Sequence, residues 1–150
     1  MSRKTIILLF ILFLSPVIIY FIWPSDESRI KNLFKEGFRA IEKEDLDTVM
    51  SKASFNYRDE YGFTYLTIKE SMKHIFQRMS DIKIDYENLK IKVNDKTARA
   101  DMEVVIIATI GSDTGYILGD ISKPVHMKFT LEKERGHWLI TTSEGLPFNF

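Results

Sequence analysis

Apolar residues change their spacing twice along the chain. Residues 5–23 form a continuous apolar run without a charged side chain. From Ile30 to Met50 and from Ile68 to Met79 apolar residues recur every three or four positions, as in amphipathic helices, whereas residues 51–64 show neither period. From Ile82 onward apolar residues alternate with polar ones, as in half-buried strands. The spacing of three or four positions predicts three helices, which begin near Asp26, Leu46 and Thr67. Helices followed by an antiparallel meander predict an α+β domain.

The apolar run is long enough to cross a bilayer, because a helix over residues 5–23 reaches about 28 Å. A cleaved signal peptide is the alternative, but the end of the run, from Tyr20 to Pro24, is bulky where cleavage needs small residues. We therefore predict an uncleaved anchor over residues 1–24, with membrane contact through residues 5–23, and a domain over residues 25–150. Arg3 and Lys4 favour a cytoplasmic N-terminus, which predicts a single-pass protein with an extracytoplasmic domain.

Charge and composition exclude several functions. Without Arg3 and Lys4 the chain keeps 19 basic against 21 acidic residues, so no electrostatic footprint for nucleic acid is present. The chain has no cysteine. Its three histidines do not cluster in the predicted topology, and no glycine-rich loop precedes a helix. We therefore predict neither a metal site nor a cofactor.

The first predicted strand changes face partway along its length. Its apolar residues occupy even positions up to Tyr86 and odd positions from Leu89. A one-residue slip of this kind, near Glu87 and Asn88, predicts a β-bulge. Because bulges bend strands, the sheet is predicted to be curved.

Three short motifs carry a resemblance to a known superfamily. They are the segment 44–50, the spacing Tyr57-x-Asp59-x-x-Gly62, and the segment 136–140 at the end of the meander. With the element order, they resemble the nuclear-transport-factor-2-like superfamily, which includes ketosteroid isomerase-like and SnoaL-like domains. The resemblance implies a curved sheet wrapped around a long helix, enclosing a cone-shaped apolar cavity. It also implies enzymes such as scytalone dehydratase, and binding or scaffold domains without catalysis.

Asp59 is the candidate catalytic residue, because it falls where ketosteroid isomerase-like enzymes carry their proton-abstracting aspartate. In an extended segment it would share a face with Phe55, Tyr57 and Tyr61, so the two tyrosines accompany it as candidates. A base of this kind needs a donor for the developing enolate oxygen. The positions that supply it in the isomerase are apolar here. The alternative is a loop aspartate that accepts hydrogen bonds from nearby backbone N–H groups.

The predicted cavity lining is apolar and comes from the first helix and three strands. It comprises Phe34, Phe38, Ile41, Met102, Val104, Met127, Phe129 and Trp138. Such a lining favours a membrane-anchored, non-enzymatic binding or assembly domain, with a membrane complex as a possible partner. An isomerase- or dehydratase-like enzyme that uses Asp59 and a carrier of a small apolar ligand or lipid are the alternatives.

The outer face of the predicted sheet carries apolar residues where polar ones are expected. These are Val105, Ile107 and Leu139. Apolar surface of this kind is typical of interfaces and predicts a homodimer. The alternative is that the segment 116–118 folds back over the patch within one chain.

Overall fold

The computed structural model describes residues 11–16 and 24–146. Besides the helical residues 11–16, the described part of the chain contains three helices and five strands. The helices are α1 (Asp26–Glu42), α2 (Leu46–Met50) and α3 (Tyr65–Arg78). The strands are β1 (Met79–Asn94), β2 (Thr97–Ile110), β3 (Asp113–Leu118), β4 (Val125–Glu134) and β5 (His137–Glu144). This α+β order is the predicted one.

The predicted membrane anchor lies mainly outside the described residues. Residues 11–16 are helical, whereas residues 1–10 and 17–23 are not described. No helix in the described part of the chain is long and apolar enough to cross a membrane. The anchor and the domain boundary at residue 24 stay predictions.

Each helix begins at a polar cap. The side chains of Ser25 and Asp45 accept hydrogen bonds from the backbone N–H groups three residues on, as the sequence predicts. The third helix begins earlier than predicted. Thr64, rather than Thr67, is its cap, and Thr64 Oγ1 accepts from the Thr67 N–H.

The strands form one antiparallel sheet in the order β1-β2-β4-β5. β4 pairs with the first half of β2, from Thr97 to Val104, and β3 pairs with the second half, from Ile106 to Ile110. The segment 111–123 between β2 and β4 therefore includes a strand of the sheet. The segment 52–58 covers the β5 edge, since the Ile140 N–H donates to the Lys52 carbonyl.

Two bulges bend β1. Its pairing with β2 shifts by one residue between Glu87 and Lys90, which confirms the predicted bulge, and again between Ser80 and Lys83. The extra residues include Asn88 and Asp81, whose φ angles are 56° and 50°. The sequence does not show the bulge near Asp81, because it lies where the alternating pattern begins.

α1 lies across the sheet and is bonded to it at both ends. At its N-terminus, Asp26 accepts hydrogen bonds from Lys133 Nζ at 2.8 Å and Trp138 Nε1 at 2.9 Å. These bonds, the Lys133 bond first, lower the pKa of Asp26. At its C-terminus, Glu42 Oε1 accepts from the Ile84 N–H at 3.0 Å. Both ends of the helix are thereby fixed on the sheet that forms the other wall of the core.

Candidate functional site

Asp59 lies in a tight turn between α2 and α3. Its Oδ1 atom accepts hydrogen bonds from the backbone N–H groups of Tyr61, at 2.9 Å, and Phe63, at 2.8 Å. Gly62, with a φ angle of 85°, closes the turn. One carboxylate oxygen therefore makes the local backbone bonds of the predicted loop alternative.

The other carboxylate oxygen of Asp59 has a different environment. The residue is only 7 % exposed, and its Oδ2 atom is buried without a hydrogen-bond partner among the described residues. A buried acceptor without a partner is unfavourable. Oδ2 is therefore the oxygen of Asp59 whose hydrogen-bonding capacity the turn does not satisfy.

Tyr57 is the polar neighbour of Asp59. Its buried hydroxyl is 2.5 Å from Ser143 Oγ on β5. Burial raises the pKa of Tyr57 and the charge of Asp59 raises it further, against the opposing effect of the Ser143 hydrogen bond. The hydroxyl is therefore protonated at neutral pH. The sequence alone does not indicate Ser143. A bulge in β5, opposite Thr130 and Leu131 of β4, places Ser143 on the core side of the sheet.

Tyr61 does not join this pair. The expected extended segment is interrupted by turns, so its four members do not share one face. Tyr57 and Asp59 are buried, whereas Phe55 is 82 % and Tyr61 is 55 % exposed. The extended face that Tyr61 was expected to share with Tyr57 and Asp59 is not formed, and Tyr61 donates its backbone N–H to Asp59 Oδ1.

The predicted cavity-lining residues come together, and they pack on one another. The rings of Phe34 and Phe129 are 5.0 Å apart, those of Phe34 and Phe38 are 6.0 Å apart, and Phe38 is 5.0 Å from Tyr86. The remaining members belong to the same hydrophobic core, either buried or packed against it; they are Ile41, Met102, Val104, Met127 and Trp138. Aromatic rings and methionines therefore occupy the space between α1 and the sheet.

The predicted interface residues do not form one patch. Val105 and Ile107 are half-buried neighbours on the outer face of β2. Leu139 pairs with Glu132, which pairs with Thr97 of β2, so Leu139 lies at the level of Thr97 in the sheet. Along β2, Thr97 is about 27 Å from Val105 at about 3.4 Å per strand residue. Leu139 therefore belongs to the other end of the sheet.

The segment 116–118 returns to β2 as part of β3. Tyr116 pairs with Ile107 and is 49 % exposed. Because paired residues point to the same face, Tyr116 adds to the apolar surface beside Ile107 and does not cover it.

The histidines are dispersed, as predicted. His74, His126 and His137 are all exposed, and His126 lies 3.4 Å from Asp101. Within residues 11–16 and 24–146, no group of three or more potential ligand side chains is arranged to hold a metal ion.

The architecture defines a cone-shaped nuclear-transport-factor-2-like, or cystatin-like, fold, and solved structures share it. A scytalone dehydratase-like protein from Novosphingobium aromaticivorans has a TM-score of 0.67 at 14 % identity, over 77 % of this chain and 79 % of that protein. An aromatic ring hydroxylase-like protein from the same organism has a TM-score of 0.65 at 17 % identity, over 79 % and 87 %. A nuclear-transport-factor-2-like protein from Cytophaga hutchinsonii has a TM-score of 0.64 at 11 % identity, over 80 % and 96 %.

These likenesses concern the fold. No family model matches the chain, and no curated protein matches it. Function has to be argued from the residues of the site.

Proposed function

We propose that the chain is a membrane-anchored, non-enzymatic binding or assembly domain. The observation that carries this proposal is the filled interior. The ring of Phe34 lies 5.0 Å from that of Phe129 and 6.0 Å from that of Phe38, so side chains of the predicted cavity lining pack on one another. A domain whose interior is filled presents its outer surface to partners.

The anchoring part of the proposal rests on the apolar run and on its described portion. Apolar side chains from Ile11 to Leu14 are 41–84 % exposed on the helical stretch 11–16. Large apolar side chains on one segment are unfavourable in water and favourable in lipid. Residues 5–23 are therefore proposed to hold the domain at a bilayer, on its extracytoplasmic side.

Fractionation of cells that express the full chain tests this proposal. We expect the chain in the membrane fraction after alkaline carbonate washing, and activity from an extracytoplasmic reporter fused after Phe150. Native mass spectrometry of the detergent-extracted chain should show the protein mass with no bound small molecule other than membrane phospholipid. Release by carbonate would contradict the anchor, a silent reporter would reverse the topology, and a retained apolar molecule would favour the carrier.

Asp59 supports a second candidate, an isomerase- or dehydratase-like enzyme. Its Oδ2 atom is buried without a hydrogen-bond partner in the part of the chain that the structure describes, and the charge of Asp59 acts on the protonated hydroxyl of Tyr57. A base and a neutral donor are two of the groups that proton abstraction beside a carbonyl needs. The likeness to a scytalone dehydratase-like protein agrees with this chemistry. The variants of Asp59 described in the Discussion separate the two candidates.

We further propose a homodimer through the surface around Ile107. Val105 and Ile107 are flanked on β1 by Asp85 and Lys83, their pairing partners, and on β3 by Tyr116. A two-fold axis through this surface would bring Lys83 of one copy near Asp85 of the other. Opposite charges beside an apolar centre make the surface self-complementary.

Ile107→Asp should convert the dimer to a monomer, because a buried unpaired carboxylate in the interface is costly. Light scattering of the full chain in mild detergent, corrected for bound detergent, measures the protein mass. Leu139→Asp is the matched control, since Leu139 lies at the other end of the sheet. A wild-type chain of monomer mass would eliminate this interface.

A further inference from the structure

A cleft of about 950 Å³ lies outside the packed core, at the end of the domain where α1 begins. Its walls are the first turns of α1, the segment 51–56 and the turn between β4 and β5. Charged and aromatic side chains from all three lie along it, among them Arg29, Lys52, Phe55, Glu134, Arg135 and His137.

The acidic side chains of the cleft have donors within the protein. Glu36 Oε2 is 2.6 Å from Lys52 Nζ, and this bond lowers the pKa of Glu36. Glu134 accepts a hydrogen bond from Ser54 Oγ at 2.5 Å, and Ser54 is fully buried. Because the charge of Lys52 offsets that of Glu36, this carboxylate opposes an incoming anion less than an unpaired one would.

Two basic side chains at the cleft have no such partner. Arg135 and His137 are exposed, and neither side chain has a hydrogen bond or ion pair within the described part of the chain. Arg135 is presented by a two-residue hairpin turn, with φ angles of 49° for Arg135 and 85° for Gly136. Arg29 fixes this turn by donating to the Gly136 carbonyl. The cleft therefore offers donors for an anion, and a guanidinium matches phosphate oxygens in geometry.

The position of the cleft identifies the source of the anion. α1 begins at Asp26, directly after the apolar run, and Arg29 lies about 4.5 Å further along the helix axis. Phe55, at the cleft wall, is 82 % exposed. Basic side chains beside an exposed aromatic ring are typical of surfaces that meet lipid headgroups.

We propose that this cleft binds the phosphate group of an anionic phospholipid, with Arg135 and His137 as its donors. The proposal rests on the proposed membrane anchoring. Headgroup binding would hold the domain against the bilayer in one orientation.

The absence of cysteine from the chain allows a single-site accessibility test. The full chain carrying Asn56→Cys, at the cleft, is placed in nanodiscs of phosphatidylcholine alone or mixed with phosphatidylglycerol, and the rate of maleimide labelling is measured. We expect phosphatidylglycerol to slow labelling about five-fold, from the attraction of one basic residue near an anionic surface. Arg135→Gln/His137→Gln should remove the difference between the two lipids.

The matched control is Arg78→Gln/Lys123→Gln, which removes two exposed basic side chains at the opposite end of the sheet and should keep the difference. If both lipids give equal labelling while the chain stays in the membrane after carbonate washing, the headgroup site is overturned and the anchoring stands. Equal protection by inorganic phosphate in phosphatidylcholine discs overturns the lipid as its source. If carbonate washing releases the chain from the discs, the anchoring is overturned, and the phospholipid proposed for the cleft is overturned with it.

Discussion

Phe34→Ala should lower the free energy of unfolding by about 3–5 kcal/mol. Phe34 is buried, and its ring contacts Phe38 on the same helix and Phe129 on β4. Truncation removes apolar contacts with both and leaves a void that the fixed ends of α1 prevent the helix from closing. Denaturant unfolding of the full chain in mild detergent, followed by circular dichroism of the strands, measures the loss.

The matched control is Phe55→Ala, which removes the same side chain from an exposed position and, because its ring lies 4.7 Å from that of Tyr65, should cost about 1 kcal/mol or less. The comparison also tests the filled interior on which the proposed function rests. If Phe34 bordered an open cavity, its removal would enlarge a space that already exists and would cost little. A loss below about 1 kcal/mol would therefore favour the carrier or the enzyme over the assembly domain.

Asp59→Ala should cost about 2–3 kcal/mol, because it leaves the Tyr61 and Phe63 N–H groups without their acceptor. Asp59→Asn keeps a carbonyl oxygen at the Oδ1 position and removes a buried charge, so its cost should stay within about 1 kcal/mol. Thermal unfolding of the two variants in detergent gives both values. The pair separates the structural role of the carboxylate from a chemical one.

A strain that carries Asp59→Asn in place of the wild-type protein gives the functional comparison. An amide cannot accept a proton as a general base, so an enzyme would lose its activity while the domain stayed folded. We expect the cellular role to survive, because the positions on α1 and β4 where a donor for the enolate oxygen is expected carry apolar side chains. Loss of that role in a folded, normally expressed Asp59→Asn protein would establish the enzyme instead.

The predictable parts of this fold are those in which local pattern and tertiary packing agree. Alternation in β2 predicts its buried face from Ala98 to Ala108, and the change of face near Asn88 predicts a bulge that the pairing confirms. The caps at Ser25 and Asp45 were also predictable, because each satisfies N–H groups within its own helix.

The candidate site was less predictable, because long-range register determines it. Asp59 and Tyr57 follow from a short motif, but Ser143 reaches Tyr57 only through a bulge in β5 that no alternation shows. Tyr61 was misplaced because a turn replaces an expected extended segment. Arg29, Lys52 and Arg135 line the cleft together although they come from three distant segments, and no local pattern in the sequence indicates that they lie close to one another.

The bonds at the two ends of α1 have a mechanical consequence. If residues 5–23 are held in a bilayer, a pull on the domain enters the fold at Asp26, where Lys133 and Trp138 pass it to the hairpin strands β4 and β5. From Glu42 the remaining load reaches β1 through Ile84. The load is thus shared across the width of the sheet, and no single terminal strand is peeled away. A domain tethered so closely to its anchor can resist tension without a flexible linker to absorb it.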